Sequence, residues 1–499
     1  MGSVKRNITA NFAGSAWVAL MSLAFVPFYI RLMGIESYGI VGVLISLQAL
    51  FAVLDLGLSQ TLAREMARLS VDPKNSSLLA DAVRTFEVIY WGLALGVAAT
   101  IAILAHSISH YWLNPEQLAP DSLQKALWIM ALVVGLRWPV ALYMGGLNGL
   151  QRQVLVNAVL AIFATVQGVG ALAVLWFIEP TVQAFFWWQA LIALLQVAVL
   201  RAALRSNLRS ERDGAFRLEV LKGTWRFAAG MTGISLLVTL LTQLDKVLLS
   251  KLLALSDFGY YVFATTVAAV LFRLINPVFT AYSPRLTELV SRDNQPELVR
   301  TYHQGCQVMA MVILAPTLTL AVFSKEILEL WTHDPALVAG SQMLVSLLVI
   351  GNALNGLVTV PYALQLAHGW TKLALYANLI AVAILVPAIY LATSFWGAIG
   401  AAWVWVLLNG SYVLIGIHVM HRRWLSGEKW RWYTRDVGMP LLAVLFVVGA
   451  GHLLMAENWS AIAKALMLLV VGGLAFAAAA LSADSLRHRL VPRLFWTTR

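Results

Sequence analysis

The stretch IMALVVGLRWPVALYM, Ile129–Met144, is almost wholly apolar, yet Arg137 stands near its middle. Read as part of a membrane span, it places a permanent charge near the bilayer centre. Read as a buried helix of a soluble protein, it needs a core large enough to hide it. Composition decides between the two. Of 499 residues, 60% are hydrophobic and only 12% charged, and the mean hydropathy is +0.78. Soluble domains carry about 25% charged residues. A water-soluble chain of this size has nowhere to hide so much apolar surface, whereas lipid solvates it. The fold class expected is therefore an all-α polytopic membrane protein.

The net charge of +11 would point to nucleic acid in a soluble chain. Here the basic residues collect in short segments between apolar runs, which is the signal of membrane orientation instead. No nucleic-acid partner is expected. Cys306 is the single cysteine, which excludes a disulfide framework and a thiolate metal site. No metal or cofactor is expected. Lys5 and Arg6 precede a long apolar run with no small-residue cleavage pattern after it, so that run reads as a retained first span.

A spanning helix needs about 20 mainly apolar residues. Working outward from Arg137, the runs are 9–30, 38–61, 84–106, 122–147, 153–178, 182–204, 225–250, 257–282, 302–324, 338–366, 372–393, 397–420, 437–455 and 461–482. That makes fourteen, with a break expected in the tenth at Pro361. An even count places both termini on one side. With both termini inside, and residues near the ends of runs counted with the adjoining segment, 27 basic residues fall in inside segments, 5 outside, and Arg137, Lys246 and Arg273 deep within spans. The excess marks the cytoplasmic face.

The chain also repeats itself at an offset of about 221 residues. LMGIESYGI at Leu32–Ile40 lines up with LLALSDFGY at Leu252–Tyr260, pairing Arg31 with Lys251 and Gly39 with Gly259. Further matches, in order, pair Pro139 with Pro361, Gly149 with Gly369, Arg152 with Lys372 and Asn157 with Asn378. The offset covers six spans, so the halves share one orientation about an axis along the membrane normal. The expected organisation is an N-lobe at 1–204, a cytoplasmic linker at 205–224, a C-lobe at 225–420, and spans 13–14 with a basic tail at 421–499. Two pseudo-symmetric six-helix lobes then surround a central cavity, with two extra helices. The linker end FRLEVLKGTWRF reads either as an interfacial amphipathic segment or as a solvated basic loop beside anionic lipid. Two matching lobes suit a transporter that rocks about a shared interface.

Charges within spans are the candidate site. An arginine at a helix centre costs about 2.5–3.5 kcal/mol on insertion scales. Arg137 and Arg273 lie several turns from both ends of their spans and are read as lining a wet cavity, where two guanidinium groups attract phosphoryl oxygens. The alternative is that they lock helices together against Asp55, Asp245 or backbone carbonyls. For Asp55, Asp245 and Lys246 helix locking is preferred over ion coupling. Arg31 and Lys251 read as anchors at the outer rim. Gln48, Gln60, Gln167, Gln243, Asn276, Asn352, Asn355 and Asn409 also lie within spans, either bonding neighbouring helices or, beside the arginines, sugar hydroxyls. No GxxxxGK[ST] and no HExxH occurs, so the chain is expected to be neither an ATPase nor a zinc protease.

The segments LMGIESYGIVGV, FAVLDLGLSQTLAREMAR, QLDKVLLSKLLALSDFGYYVFATTVA and PVFTAYSPRLTEL resemble the polysaccharide transporters of the multidrug/oligosaccharidyl-lipid/polysaccharide (MOP) exporter superfamily, in particular O-antigen flippases of the Wzx type. The resemblance implies a cargo of undecaprenyl-diphosphate-linked oligosaccharide, moved across the bacterial inner membrane to the periplasmic leaflet. It implies a cationic central cavity, which Arg137 and Arg273 fit by position, and partners among membrane lipids and the polymerase and chain-length regulator of glycan assembly. Rival readings are a lipid II flippase, an ion-coupled multidrug exporter, and, in another class, a membrane-embedded enzyme of glycan assembly.

Overall fold

The computed structural model describes residues 2–55, 57–70, 72, 76–208, 214–219, 236, 239–456 and 458–484. These residues are helical almost throughout, as the unbroken apolar runs demand when every backbone group must be satisfied without water. The helices are α1 (Gly2–Ala24), α2 (Val26–Met33), α3 (Ile35–Ala52), α4 (Leu58–Leu69), α5 (Ser76–Ser107), α6 (Pro120–Gly149), α7 (Gln153–Phe177), α8 (Val182–Ser206), α9 (239–252) and α10 (Leu255–Ala268). There follow α11 (Val270–Ser291), α12 (Gln295–Val322), α13 (Ser324–Thr332), α14 (Pro335–Leu357), α15 (Thr359–Ala367), α16 (Thr371–Ser411), α17 (Ile417–Trp424), α18 (Lys429–Arg431), α19 (Met439–Leu454) and α20 (Ala461–Ser482).

Local chemistry sets many of the ends. Thr181, Asn294, Asp334 and Ser460 accept backbone N–H groups at the starts of α8, α12, α14 and α20. Proline opens α6 and α14, where its missing N–H costs nothing. Gly34 (φ 84°) and Gly57 (φ 70°) take the left-handed region where the chain turns out of α2 and into α4.

Twelve described segments are long and apolar enough to cross a membrane. The seventh expected run, 225–250, lies mostly outside the described residues, which are helical from 239. The runs 372–393 and 397–420 are two helices that turn back on each other at the non-helical Gly397 (φ 56°, ψ −143°). Gly400 lies against the Ala392 main chain and Tyr412 OH donates to Asn378 Oδ1 at 3.4 Å, so one of the twelve segments, Leu375–Trp424, carries two of the expected runs. The second run was expected to reach residue 61. Instead α3 stops at Ala52, a 3₁₀ turn covers Val53–Asp55, and α4 follows as a separate amphipathic helix. The third helix begins at Ser76 rather than 84, and α8 continues to Ser206. Arg84, Arg201 and Arg205 are therefore helical residues, not loop residues. The expected break in the tenth run falls at Val358, because Pro361 has no N–H to offer the Leu357 carbonyl. Most of FRLEVLKGTWRF and the basic tail after residue 484 lie outside the described residues.

The chain forms two compact units, Met1–Val262 and Phe263–Arg499. In the first, α6 is the hub, packed by α4, α5 and α8, with α7 bridging α8 and α1. In the second, α12 is the hub, packed by α11, α14 and the α19–α20 pair, while α16 lies on α14.

Candidate functional site

Arg137 sits deep in α6, about 25 Å from Pro120 and about 18 Å from Gly149 at 1.5 Å per residue. It is half-buried, and its Nη2 donates to Gln189 Oε1 of α8 at 2.5 Å. That partner is neutral. No carboxylate pairs with Arg137 among the described residues. Helix α6 brings Trp138 in beside it, and Trp138 Nε1 is buried with no hydrogen-bond partner among the described residues, as are Gln48 Nε2 and Gln243 Oε1. Buried polar atoms left open in this way call for an explanation.

Arg273 lies in the first turn of α11, just beyond the break at Ala269, and is exposed. The two arginines belong to different units.

Asp55 works locally. Its Oδ1 accepts Ser59 N at 3.3 Å and its Oδ2 accepts Ser59 Oγ at 2.8 Å, fastening the start of α4. Asp245 on α9 accepts Tyr261 OH at 2.7 Å and faces Lys246 Nζ at 3.4 Å, while that ammonium also donates to the Thr242 carbonyl at 3.0 Å. Both carboxylates thus have the geometry of helix locks. Arg31 is exposed at the end of α2. Lys251 Nζ donates to the Tyr111 carbonyl.

That last bond belongs to a network no sequence pattern announced. The segment after α5 lies across α9 and α10 as a strap. Trp112 Nε1 donates to Ser250 Oγ at 3.0 Å, Asn114 Nδ2 to the Lys251 carbonyl at 2.7 Å, and Leu255 N to the Asn114 carbonyl at 2.9 Å. Glu36, buried at the start of α3, accepts the backbone N–H groups of Glu116 and Gln117 at 2.6 and 2.9 Å. Ser256, which the repeat pairs with Glu36, donates to Glu116 Oε2 at 2.5 Å.

A second unannounced cluster surrounds Glu87, which is 1% exposed in α5. It accepts from Arg201 Nε at 2.5 Å and Tyr143 OH at 2.7 Å, and pairs with Arg84 at 3.2 Å and Arg205 at 3.5 Å. A lone acid inside the third apolar run was the signal available for it. Three of the span amides bond neighbouring helices: Trp405 Nε1 donates to Asn352 Oδ1 at 2.9 Å, and Asn355 Nδ2 to Asn409 Oδ1 at 2.9 Å. Among the described residues no group of three or more His, Cys, Asp or Glu is placed to hold a metal ion.

Many helices of spanning length, charge held among them and an internal repeat are features of membrane transporters, and the family comparisons narrow the class to the MOP superfamily. A family model described as "Polysaccharide biosynthesis protein" matches residues 4–290, and one described as "MatE" matches residues 231–391. The first covers more than half of the chain, and the protein belongs to that polysaccharide biosynthesis family of transporters; it is not an enzyme. A Shigella flexneri protein named "Putative O-antigen transporter" is 21% identical over 407 residues, 81% of this chain and 94% of the relative. The lipid II flippase MurJ in an inward closed conformation superposes with a TM-score of 0.63 at 12% identity, over 95% of this chain and 98% of its own. An inward-facing multidrug transporter of the MATE family gives 0.60 at 13% identity, over 83% and 94%. At such identities these two likenesses show the fold.

Proposed function

We propose that the protein is a flippase for an undecaprenyl-diphosphate-linked oligosaccharide, an O-antigen or related surface-polysaccharide repeat unit. It moves the headgroup from the cytoplasmic to the periplasmic leaflet of the bacterial inner membrane. In this reading the chain has fourteen spans, both termini are cytoplasmic, and two six-span lobes give alternating access, with Arg137 and Arg273 serving the diphosphate. One observation carries the reading: Arg137 is held deep in a span by a neutral amide, so its charge remains available for an anion. The guanidinium fork matches phosphoryl oxygens, and a low dielectric strengthens that attraction. The open hydrogen-bonding atom of Trp138, next to Arg137 in the chain, suits a sugar hydroxyl. The name of the Shigella flexneri relative agrees.

A lipid II flippase would use the same diphosphate chemistry, and the sugar part of the cargo distinguishes the two. A multidrug exporter of organic cations would line its cavity with acids, not arginines. The polymerase and chain-length regulator that act on the same glycan are the partners expected.

The test is a reconstituted translocation assay with lipid-linked repeat unit and, separately, lipid II, on the wild type, Arg137→Ala and Arg273→Ala. The reading expects flipping of the repeat unit and at least tenfold slower flipping by each variant at equal abundance. Normal flipping by both variants would overturn the role of the arginines, and flipping of lipid II alone would overturn the cargo.

A further inference from the structure

The second unit holds a buried charged cluster that the transport reading leaves unused. His303, on α12 and 2% exposed, has both ring nitrogens against carboxylates. Its Nδ1 bonds Asp436 Oδ2, and its Nε2 lies 2.9 Å from Glu428 Oε2. Asp436 is fully buried and takes a further bond from Gln307 Nε2 at 2.8 Å. Glu428 keeps 30% of its side chain exposed. An ionised carboxylate only accepts hydrogen bonds. With both carboxylates ionised, both bonds to His303 require the ring to carry two protons.

The backbone is built around this arrangement. Asp436 sits in a π-helical turn, Trp432–Gly438, that leads into α19. Such turns are rare and frequently mark functional places. The turn packs on α12, as do α19 and α20, so the cluster lies where the last helical pair is fastened to the hub of its unit.

The other titratable and charged groups come from four elements. On α12 itself they are Tyr302 and Cys306. On α17 there is His421, whose Nδ1 donates to the Ile417 carbonyl at 2.9 Å and whose Nε2 shares a hydrogen bond with Tyr302 OH at 3.2 Å. From α18 and the π turn come Tyr433, Lys429, which faces His418 Nδ1 at 2.9 Å, and Arg431, 3.5 Å from Glu428 Oε2. The hydrogen-bonding places of His421 are thereby filled, whereas both ring nitrogens of His303 face carboxylates.

We propose that Glu428, His303 and Asp436 form a proton-binding site, filled from water through Glu428, whose loading fastens the α19–α20 pair to α12. The proton passes from water to the edge of Glu428, then to Nε2 of the ring. When it leaves, Nε2 becomes an acceptor facing the Glu428 carboxylate, so the bond that ties the start of α18 to α12 is lost while Nδ1–H stays on Asp436. Docking is therefore strongest when the proton is present and weakens as the pH rises. The site gives a task to the two helices that lie outside the sequence repeat, and it needs no cargo to operate.

The single cysteine of the chain is a built-in reporter. Cys306 lies one turn along α12 from His303, is 2% exposed, and is within electrostatic reach of Asp436. The experiment uses the full chain in lipid nanodiscs. Maleimide labelling of Cys306 is measured from pH 6 to 9 and divided at each pH by the rate for the detergent-denatured chain, which removes the reactivity of the thiol itself. The wild type should show a normalised rate that rises at least tenfold with pH. His303→Gln/Asp436→Asn, which substitutes a neutral amide pair, should show a flat profile. A flat wild-type profile, or a rise that persists in the double variant, overturns the proposal. Should the double variant not remain monodisperse, Glu428→Gln decides. It leaves the Asp436 bond in place but removes the outer carboxylate, so the rise should move to lower pH, and an unmoved profile overturns the proposal.

Discussion

Gly39 on α3 and Gly259 on α10 each lie against the main chain of the other's helix. A Cβ at Gly39 would stand 2.6 Å from the Leu255 carbonyl oxygen, and one at Gly259 would collide with the carbonyl oxygen of Ile35. The sequence repeat pairs Gly39 with Gly259 and Ile35 with Leu255, so the contact is reciprocal, as an approximate two-fold relation between the helices requires. Two helices approach this closely only where neither carries a side chain.

Gly39→Val and Gly259→Val should each therefore force α3 and α10 apart. Overpacking of this kind costs about 1–3 kcal/mol. Both substitutions relieve themselves by opening the same contact, so the double variant should lose less than the sum of the singles. Thermal unfolding of the purified chain in detergent measures all three. Strict additivity would show that the glycines do not share a contact.

Glu36→Ala should release the strap. It leaves the N–H groups of Glu116 and Gln117, both exposed residues, without their carboxylate acceptor, at about 1 kcal/mol for each lost bond. Hydrogen exchange at those two amides should quicken at least tenfold, while the amides of α7 stay as they are. Glu36→Gln keeps one carbonyl acceptor and should fall between. Exchange that is unchanged in Glu36→Ala would mean that the other strap bonds suffice by themselves.

Asp55→Asn tests whether this acid couples an ion or secures a helix. Asparagine keeps an oxygen for Ser59 N, so stability should hardly change, whereas Asp55→Ala should lose about 1 kcal/mol as other helix-start substitutions do. Transport driven by an imposed proton or sodium gradient should be the same in Asp55→Asn as in the wild type. Loss of gradient-driven transport in a stable Asp55→Asn protein would return Asp55 to an ion-coupling role.

The legible part of this protein is the part that lipid dictates. Long apolar runs leave the backbone no choice but helix, and the break near Pro361 follows from a missing N–H. The repeat alone pairs Gly39 with Gly259, and the structure supplies the reason: the close approach demands glycine in both. The boundaries that went astray did so where amphipathic helix continues past the apolar run: α5 begins eight residues early, and Arg201 and Arg205 extend α8. Arginine is a good helix former, so its charge marks the end of the membrane and not the end of the helix. Clusters assembled from distant segments, Glu87 with Arg201 or His303 with Asp436, were not legible. Each member is an isolated polar residue with no spacing rule to join it to its partner.

Gln189→Glu separates the two readings of Arg137 most sharply. The substitution is nearly isosteric and places a carboxylate oxygen where the amide oxygen now lies 2.5 Å from Nη2. If Arg137 serves only to join α6 to α8, an ion pair is at least as good a fastening as the amide, and transport should continue. If Arg137 holds its charge for a diphosphate, the new carboxylate neutralises that charge and repels the cargo. The expectation is a protein of unchanged or higher unfolding temperature whose flipping falls at least tenfold. Arg137→Lys in the original Gln189 background should lose less, because it keeps the charge and gives up only the bidentate fork. Undiminished flipping by Gln189→Glu at normal abundance would make Arg137 a structural residue, and the anion-binding role would pass to another group.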